Sequence, residues 1–171
     1  MATGRKPVIV RKLSRDWMAG YASSEFDPRT GELELLDQAG KVLRIGWDQI
    51  KWICYLRDLA ASAGDPGNPE KLLQKRFSIR PRTAGLWLRI TLVDHDQIEG
   101  IAANDASLVK GAGLMLTPPD TRSNTQRIFV PLQAIDSLEV VGLIGTGSKH
   151  RATVRADEEQ ASLFPTEPNS E

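Results

Sequence analysis

The sequence predicts an all-β protein made of two similar halves and a hydrophilic tail. Short apolar runs recur along the chain, each bounded by turn-forming residues, which is typical of the strands of small β-domains. The same order of runs occurs twice, and the residues after it lack a periodic apolar pattern and are expected to be disordered. The predicted divisions are a first half at 1–58, a basic, proline- and glycine-rich linker at 59–84, a second half at 85–145 and a tail at 146–171.

The first half alternates apolar runs with turns. The β-branched run Val8–Val10 favours a strand. Gly20 lies inside the second run and indicates a sharp bend. Proline and glycine together at 27–31 predict a turn. In order, we expect strands at 8–10, 17–21, 33–37, 42–45 and 51–56, with one helical turn at 47–50.

The second half repeats this order. Gly100 takes the place of Gly20, and Ile135 takes the place of Ile50. We interpret the pattern as an internal duplication and not as a solenoid, whose period would be shorter. The matched segments are 86–92 with 8–13, 98–101 with 18–21, 114–116 with 33–35, 128–135 with 43–50, and 138–141 with 53–56.

The order of elements in each half resembles an Sm-like or SH3-like barrel: strand, bent strand with a glycine, two strands, one helical turn, and a last strand. The resemblance implies bent strands wrapped around an aliphatic core. A half of roughly 55 residues buries too little surface to be stable alone. We therefore expect the two barrel halves to pack on each other.

Composition narrows the functional classes. The chain has 22 Lys and Arg against 22 Asp and Glu, so it has no net field to attract polyanions. Cys54, the single cysteine, lies in an apolar run and suits a buried position in a reducing compartment. The N-terminus has no apolar signal core, and the apolar runs are too short to span a membrane. These features predict a cytoplasmic protein without a membrane partner.

No motif for catalysis, a cofactor or a metal stands out. A Gly-x-Ser-x-Gly nucleophile motif is absent, and the two histidines are His95 in a turn and His150 in the tail. Asp94, His95 and Asp96 share one turn but have no further ligand cluster, so we expect a solvated hairpin. Gly142–Gly147 follows a strand without opening a helix, which argues against a phosphate loop. The sequence predicts a protein that is not an enzyme.

The richest polar segment is the loop between the predicted strands at 114–116 and 128–130. The stretch Gly113–Val130, together with Ile50–Asp58, resembles an uncharacterised bacterial domain family in which a proline, aspartate, serine-asparagine and arginine string precedes a Phe-Val strand. The resemblance spans most of residues 8–141. It implies the same domain boundaries and no particular activity.

This loop supplies the first candidate binding residues, Arg122, Asn124 and Arg127. Sm-like proteins bind single-stranded RNA through aromatic and basic groups, so the resemblance implies RNA as one ligand. The alternative is that the loop is structural, with Ser123 and Asn124 fixing the turn through local hydrogen bonds. The sequence leaves both interpretations open.

A second candidate site is the basic stretch around Arg76 and Arg80. The segment Arg76–Arg80 and the later segment Asp105–Gly111 resemble the two motifs of PilZ domains, which bind cyclic di-GMP, although the glycine comes one residue late. The resemblance implies that the two guanidinium groups grip phosphates.

The tail offers one short motif. Gln160, Leu163 and Phe164 resemble the peptide by which bacterial replication and repair proteins dock on the sliding clamp, although Ala161 stands where leucine is usual. Taken together, the sequence predicts a non-catalytic binding or regulatory module that acts as a protein-interaction adaptor. RNA binding, cyclic dinucleotide binding and a clamp-associated role in replication or repair are the alternatives.

Overall fold

A single antiparallel sheet of ten strands dominates the structure, a computed structural model that describes residues 4–23, 27–60, 67–120 and 122–145. The all-β prediction is confirmed. The strands are β1 (Arg5–Lys12), β2 (Trp17–Ser23), β3 (Glu32–Leu36), β4 (Val42–Gly46), β5 (Ile50–Leu56), β6 (Gly85–Leu92), β7 (Gln97–Ala102), β8 (Gly113–Thr117), β9 (Thr125–Pro131) and β10 (Ile135–Ile144). The helical elements are α1 (Ser107–Lys110) and 3-10 turns at Pro28–Thr30, Trp47–Gln49, Pro69–Gln74 and Leu132–Ala134.

The strand order across the sheet is β10-β6-β7-β8-β9-β5-β1-β2-β3-β4. Within each half the last strand lies beside the first, and the second, third and fourth follow. The halves join where β9 pairs with β5, which sets Ile53 opposite Phe129 and Tyr55 opposite Arg127. The junction is therefore a continuation of the sheet through backbone hydrogen bonds.

The predicted barrels are not closed. Closure of the first half would require β4 to pair with β5, but the free side of β5 is taken by β9 from the second half. Among the described residues, β4 pairs with β3 alone and β10 pairs with β6 alone. Apolar spacing along one strand specifies which face is buried, whereas the neighbour that takes a strand edge depends on long-range pairing. The disorder predicted for residues 146–171 lies outside the described residues.

Both second strands carry a glycine where backbones approach closely. A Cβ on Gly20 would collide with the carbonyl oxygen of Leu36, and one on Gly100 would lie 2.8 Å from the Cβ of Leu116. Close backbone approach is a usual reason for glycine within a strand. Immediately after each glycine the strand pairs with its third-strand neighbour, at Tyr21 and Ile101 respectively.

Two apolar cores lie on opposite faces of β5. Ile53 and Tyr55 pack into the core of the first half, whereas Trp52, Cys54 and Leu56 pack into the larger core of the second half. Every residue of β5 is buried. Because burial of a large apolar side chain contributes about 1.5–3 kcal/mol, β5 links the two cores energetically.

The segment between the halves contributes to the second core. Leu59 and Leu72 are buried in it, and Leu72 lies on the 3-10 turn Pro69–Gln74, where Asn68 caps the first turn by accepting a hydrogen bond from the Glu70 amide. Within the described ranges, no helix is long and apolar enough to cross a membrane.

Candidate functional site

The loop between β8 and β9 is held in place by Asp120. Its carboxylate accepts hydrogen bonds from the Arg122 amide (3.1 Å) and from Nζ of Lys75 (2.9 Å), and its carbonyl accepts one from the Ser123 hydroxyl (2.8 Å). The hydrogen bond from Lys75 lowers the pKa of Asp120, against a smaller opposing effect of burial. The side chain of Arg122 is exposed at this loop.

Asn124 ties this loop to the segment that follows β5. Its side-chain amide donates to the Asp58 carbonyl (2.7 Å), and its side-chain oxygen accepts from the Asp58 amide (3.2 Å). The Arg57 amide also donates to the Asn124 carbonyl (3.0 Å). The Asn124 side chain thus bonds to both backbone groups of Asp58, as a neighbouring strand would, and connects the two halves. The sequence had suggested hydrogen bonds within the turn itself, and these contacts reach 66 residues back along the chain instead.

Arg76 and Arg80 are both engaged with acceptors of their own chain. The Arg76 guanidinium donates to the carbonyls of Leu73, Lys75 and Gln97, and lies 3.8 Å from the buried carboxylate of Glu99. Arg80 donates to the Leu143 carbonyl (2.9 Å). A phosphate ligand would compete with these contacts for the five N–H donors of each guanidinium group. Lys75, next to Arg76, pairs with Asp120 of the loop that carries Arg122, whereas Arg127 lies on β9.

Arg127 instead lines a groove at the junction of the halves. The strands β8, β9, β5 and β1 are consecutive in the sheet, and one residue or more from each faces a cavity of about 430 Å³. Register explains the placement, because Tyr55 lies opposite both Val8 of β1 and Arg127 of β9. We call this cavity the junction groove, and its lining residues are Lys6, Tyr55, Leu56, Met115, Gln126 and Arg127.

The junction groove is cationic and partly apolar. Lys6 and Arg127 are exposed, and none of the lining residues carries a carboxylate. Met115 is 39% exposed, whereas Tyr55 is 8% exposed and burial raises the pKa of its hydroxyl. Two cations beside a thioether favour a ligand that combines negative charge with an apolar side chain. The lining offers no nucleophile paired with a base.

A second polar cluster surrounds a buried lysine of β5. Lys51 has no solvent exposure, and its ammonium group forms ion pairs with Asp94 and Asp96 on the β6–β7 turn. Burial opposes ionisation of Asp94, but the hydrogen bond and charge of Lys51 outweigh it and lower the pKa of that carboxyl. Lys51 also lies 4.9 Å from the centre of the Trp52 ring, within range of a cation–π contact. This cluster joins the halves.

Arg11, which lies opposite Trp52 in the ladder between β1 and β5, is also buried. Its guanidinium lies 5.9 Å from the ring centre, pairs with Glu70 and donates to the Lys12 carbonyl. The hairpin expected at 94–96 joins β6 to β7 and is partly exposed, and its two aspartates also pair with Lys51. One signal was present in the sequence: a lysine within the apolar run 50–56 requires a carboxylate partner if the strand is buried.

Metal and thiol chemistry find no support in the described part of the chain. It contains no group of three or more His, Cys, Asp or Glu residues that could hold a metal ion. Cys54 is buried, and burial raises the pKa of its thiol to about 12, as expected for a structural cysteine. The tail residues Gln160, Leu163 and Phe164 lie outside the described residues, and His150 does also.

Sequence reasoning found Arg127 and missed the other residues of the junction groove. Lys6 lies in the basic start of the chain, and Met115 lies in a predicted strand, so neither stood out. Their proximity depends on the pairing of β9 with β5, which joins segments some seventy residues apart. Apolar periodicity carries no information about such a long-range pair.

Fold and site together define an antiparallel β-protein with a cationic groove between two five-stranded halves. The chain belongs to a family of unknown function, DUF6982, whose model matches residues 4–142. A search of curated proteins and a search of solved structures returned no match.

Proposed function

We propose that the chain is a non-catalytic adaptor that holds an acidic, partly apolar segment of a partner protein in the junction groove. The observation that supports this most directly is the lining, in which exposed Lys6 and Arg127 flank Met115 with no carboxylate among them. Because the whole chain has no net charge, this local excess of cations directs an acidic segment to the groove and not to the rest of the surface. We place this adaptor in the reducing cytoplasm, where the lone thiol of Cys54 needs no partner.

A peptide fits the junction groove better than RNA does. Proteins that bind single-stranded RNA stack bases on exposed aromatic rings. The aromatic residue of this lining, Tyr55, is 8% exposed, so it offers little ring surface. Met115 has a flexible thioether side chain that adapts to varied apolar groups of a peptide.

Cyclic di-GMP binding by Arg76 and Arg80 is the weaker alternative. Both guanidinium groups already donate to carbonyls of the chain, which leaves fewer of their N–H donors for a phosphate. Docking on a sliding clamp through Gln160, Leu163 and Phe164 stays a prediction.

We also propose that the halves are tandem Sm-like or SH3-like units that arose by duplication. Matched details beyond strand order support this. The Leu13 amide donates to the Gln49 carbonyl (2.9 Å), and the Val93 amide donates to the Ala134 carbonyl (3.0 Å). The turns after β1 and β6 each contain a non-glycine residue with positive φ, Arg15 at 73° and His95 at 67°.

The test of the adaptor function is a titration with three defined probes: a labelled peptide of glutamates and leucines, oligouridine, and cyclic di-GMP. We expect the wild type to bind the peptide most tightly, with an affinity that falls as salt rises. Lys6→Glu/Arg127→Glu should weaken peptide binding at least tenfold. The matched control is Lys71→Glu/Lys110→Glu, which makes the same charge change at two exposed lysines outside the lining.

Equal loss of binding in the control would mean that net charge, not the groove, attracts the peptide. Binding of oligouridine or cyclic di-GMP in place of the peptide would replace the adaptor with the corresponding alternative. Thermal melts of all variants separate lost binding from lost folding.

A further inference from the structure

We infer that copies of this chain associate edge to edge, with β4 of one copy paired to β10 of the next. The pairing of β9 with β5 inside the chain provides the pattern. In each half the fourth strand and the fifth strand lie at opposite outer edges of a five-stranded unit. The fourth strand of the second half meets the fifth strand of the first. Among the described strands two edges remain, β4 as a fourth strand and β10 as a fifth strand, and these are the same two kinds of edge.

The exposure of two apolar side chains of β10 supports pairing of this strand with a neighbouring copy. Leu138 and Val140 lie opposite Ile90 and Leu88, which are 0% and 1% exposed. Directly opposed residues in an antiparallel pair point to the same face, so Leu138 and Val140 point toward the core side. Nevertheless they are 45% and 54% exposed.

The corresponding residues of β5 are covered. Ile53 and Tyr55 lie opposite Val10 and Val8 in the same way, yet they are 0% and 8% exposed. Their cover includes Phe129 of β9, which lies opposite Ile53. A fourth strand placed beside β10 would cover Leu138 and Val140 by the same means.

The two edges also differ in charge. Lys41 and Arg44 give β4 and the residue before it two cations and no acid, whereas Asp136 and Glu139 give β10 two acids and no cation. Two β10 strands would bring acids together, and two β4 strands would bring cations together. Arg44 already lies 3.5 Å from Glu34 and Glu139 pairs with Arg89 (2.9 Å), so the difference acts as a general electrostatic complementarity between the two edges and not through direct ion pairs.

The register of β9 with β5 inside the chain predicts the register of β4 with β10 of the neighbouring copy. Ile53 faces Phe129 and Tyr55 faces Arg127, so the same offset sets Leu138 opposite Arg44 and Val140 opposite Val42. Val42 is itself 45% exposed, and it would bury its side chain against Val140. The aliphatic stem of Arg44 would lie over Leu138 while its charged group stays in water.

Such a contact is heterologous, because each copy uses a different edge. Repetition therefore gives a closed ring or an open filament, and not an isolated two-fold dimer. The backbone edge of β10 near its end is partly occupied, since Arg80 donates to the Leu143 carbonyl. Pairing is confined to the part of β10 before that point, which contains Leu138 and Val140.

Sedimentation velocity of the full chain over a concentration series tests the inference. We expect species larger than a monomer whose population grows with concentration. Val42→Glu sets an acid against the acidic β10, and Val140→Lys sets a cation against the cationic β4. Each should weaken association at least tenfold. The double variant Val42→Glu/Val140→Lys sets opposite charges at these two directly opposed positions, and we expect it to associate again.

Val109→Lys is the matched control, because Val109 is 84% exposed on α1, away from both edges. It should associate as the wild type does, and circular dichroism checks that every variant folds. A wild type that stays monomeric at all concentrations would overturn the inference, as would a double variant that remains dissociated. Normal association of the Val42→Glu variant would instead indicate contact between two β10 edges, which also contradicts it.

Discussion

The strands β5 and β10 occupy the same place in the two halves and differ sharply in burial. Each is the last strand of its half and pairs with the first. All seven residues of β5 are buried, whereas five successive residues in the middle of β10, 136–140, are exposed. The difference follows from their neighbours: β5 has a strand on both sides, whereas within the described part of the chain β10 has one on a single side.

This contrast teaches that strand pairing, as much as apolar content, decides burial here. Both segments contain aliphatic residues, Ile53 and Leu56 in one and Leu138 and Val140 in the other. Only β5 also lies between two cores. The last strand of a half thus lies in the middle of the sheet in the first half and at the end of the described sheet in the second.

The largest expected effect concerns the charge that β5 buries. Lys51 has no exposure, whereas the matching position in β10 is the exposed Asp136. Replacing Asp94 and Asp96 by Asn leaves the Lys51 ammonium buried without a counter-ion, which typically costs about 3–5 kcal/mol. We expect a loss of that size in urea unfolding of the double variant.

Lys51→Met provides the control for this cluster. It removes the buried charge and leaves Asp94 and Asp96 partly exposed to water. Its loss of stability should be clearly smaller than that of the double Asn variant. The reverse ranking would show that the carboxylates, and not the lysine, need the pairing.

A matched pair of truncations measures the contrast between the two strands. Ile53→Ala removes a fully buried side chain, and about 2–5 kcal/mol should be lost. Leu138→Ala acts at the corresponding position of β10, where the side chain is 45% exposed, and should cost less than about 1 kcal/mol in the monomer. Denaturant unfolding in dilute solution gives both values, and equal losses would refute the proposed role of β9 as a cover.

Local sequence patterns predicted the strands well because their causes are local. The glycines at 20 and 100, the turn at 27–31 and the apolar runs all act within a few residues. The junction was out of reach, because β9 pairs with β5 across a long stretch of chain. Closed barrels were therefore expected where the sheet continues. For the same reason Arg127 was found as a candidate, whereas its neighbours Lys6 and Met115 were not.

A smaller effect on stability is expected at the loop between β8 and β9. Asn124→Ala removes two hydrogen bonds between its side chain and the Asp58 backbone, so the chain should lose roughly 1 kcal/mol. Asn104→Ala, at an exposed position after β7, is the control and should change stability little. Thermal unfolding compares the two. If both variants melt with the wild type, the contact with Asp58 contributes nothing to the junction.

Hydrogen exchange of the β5 and β10 amides tests the central contrast most directly. About half of the amides in a strand point to each side, and no other described strand pairs with the outer side of β10. We expect β5 to be protected at every protein concentration. The outward amides of β10 should exchange fast in dilute protein and slow down as copies pair with β4. Slow exchange of all β10 amides in dilute protein, or fast exchange of the outward amides at every concentration, would contradict the account.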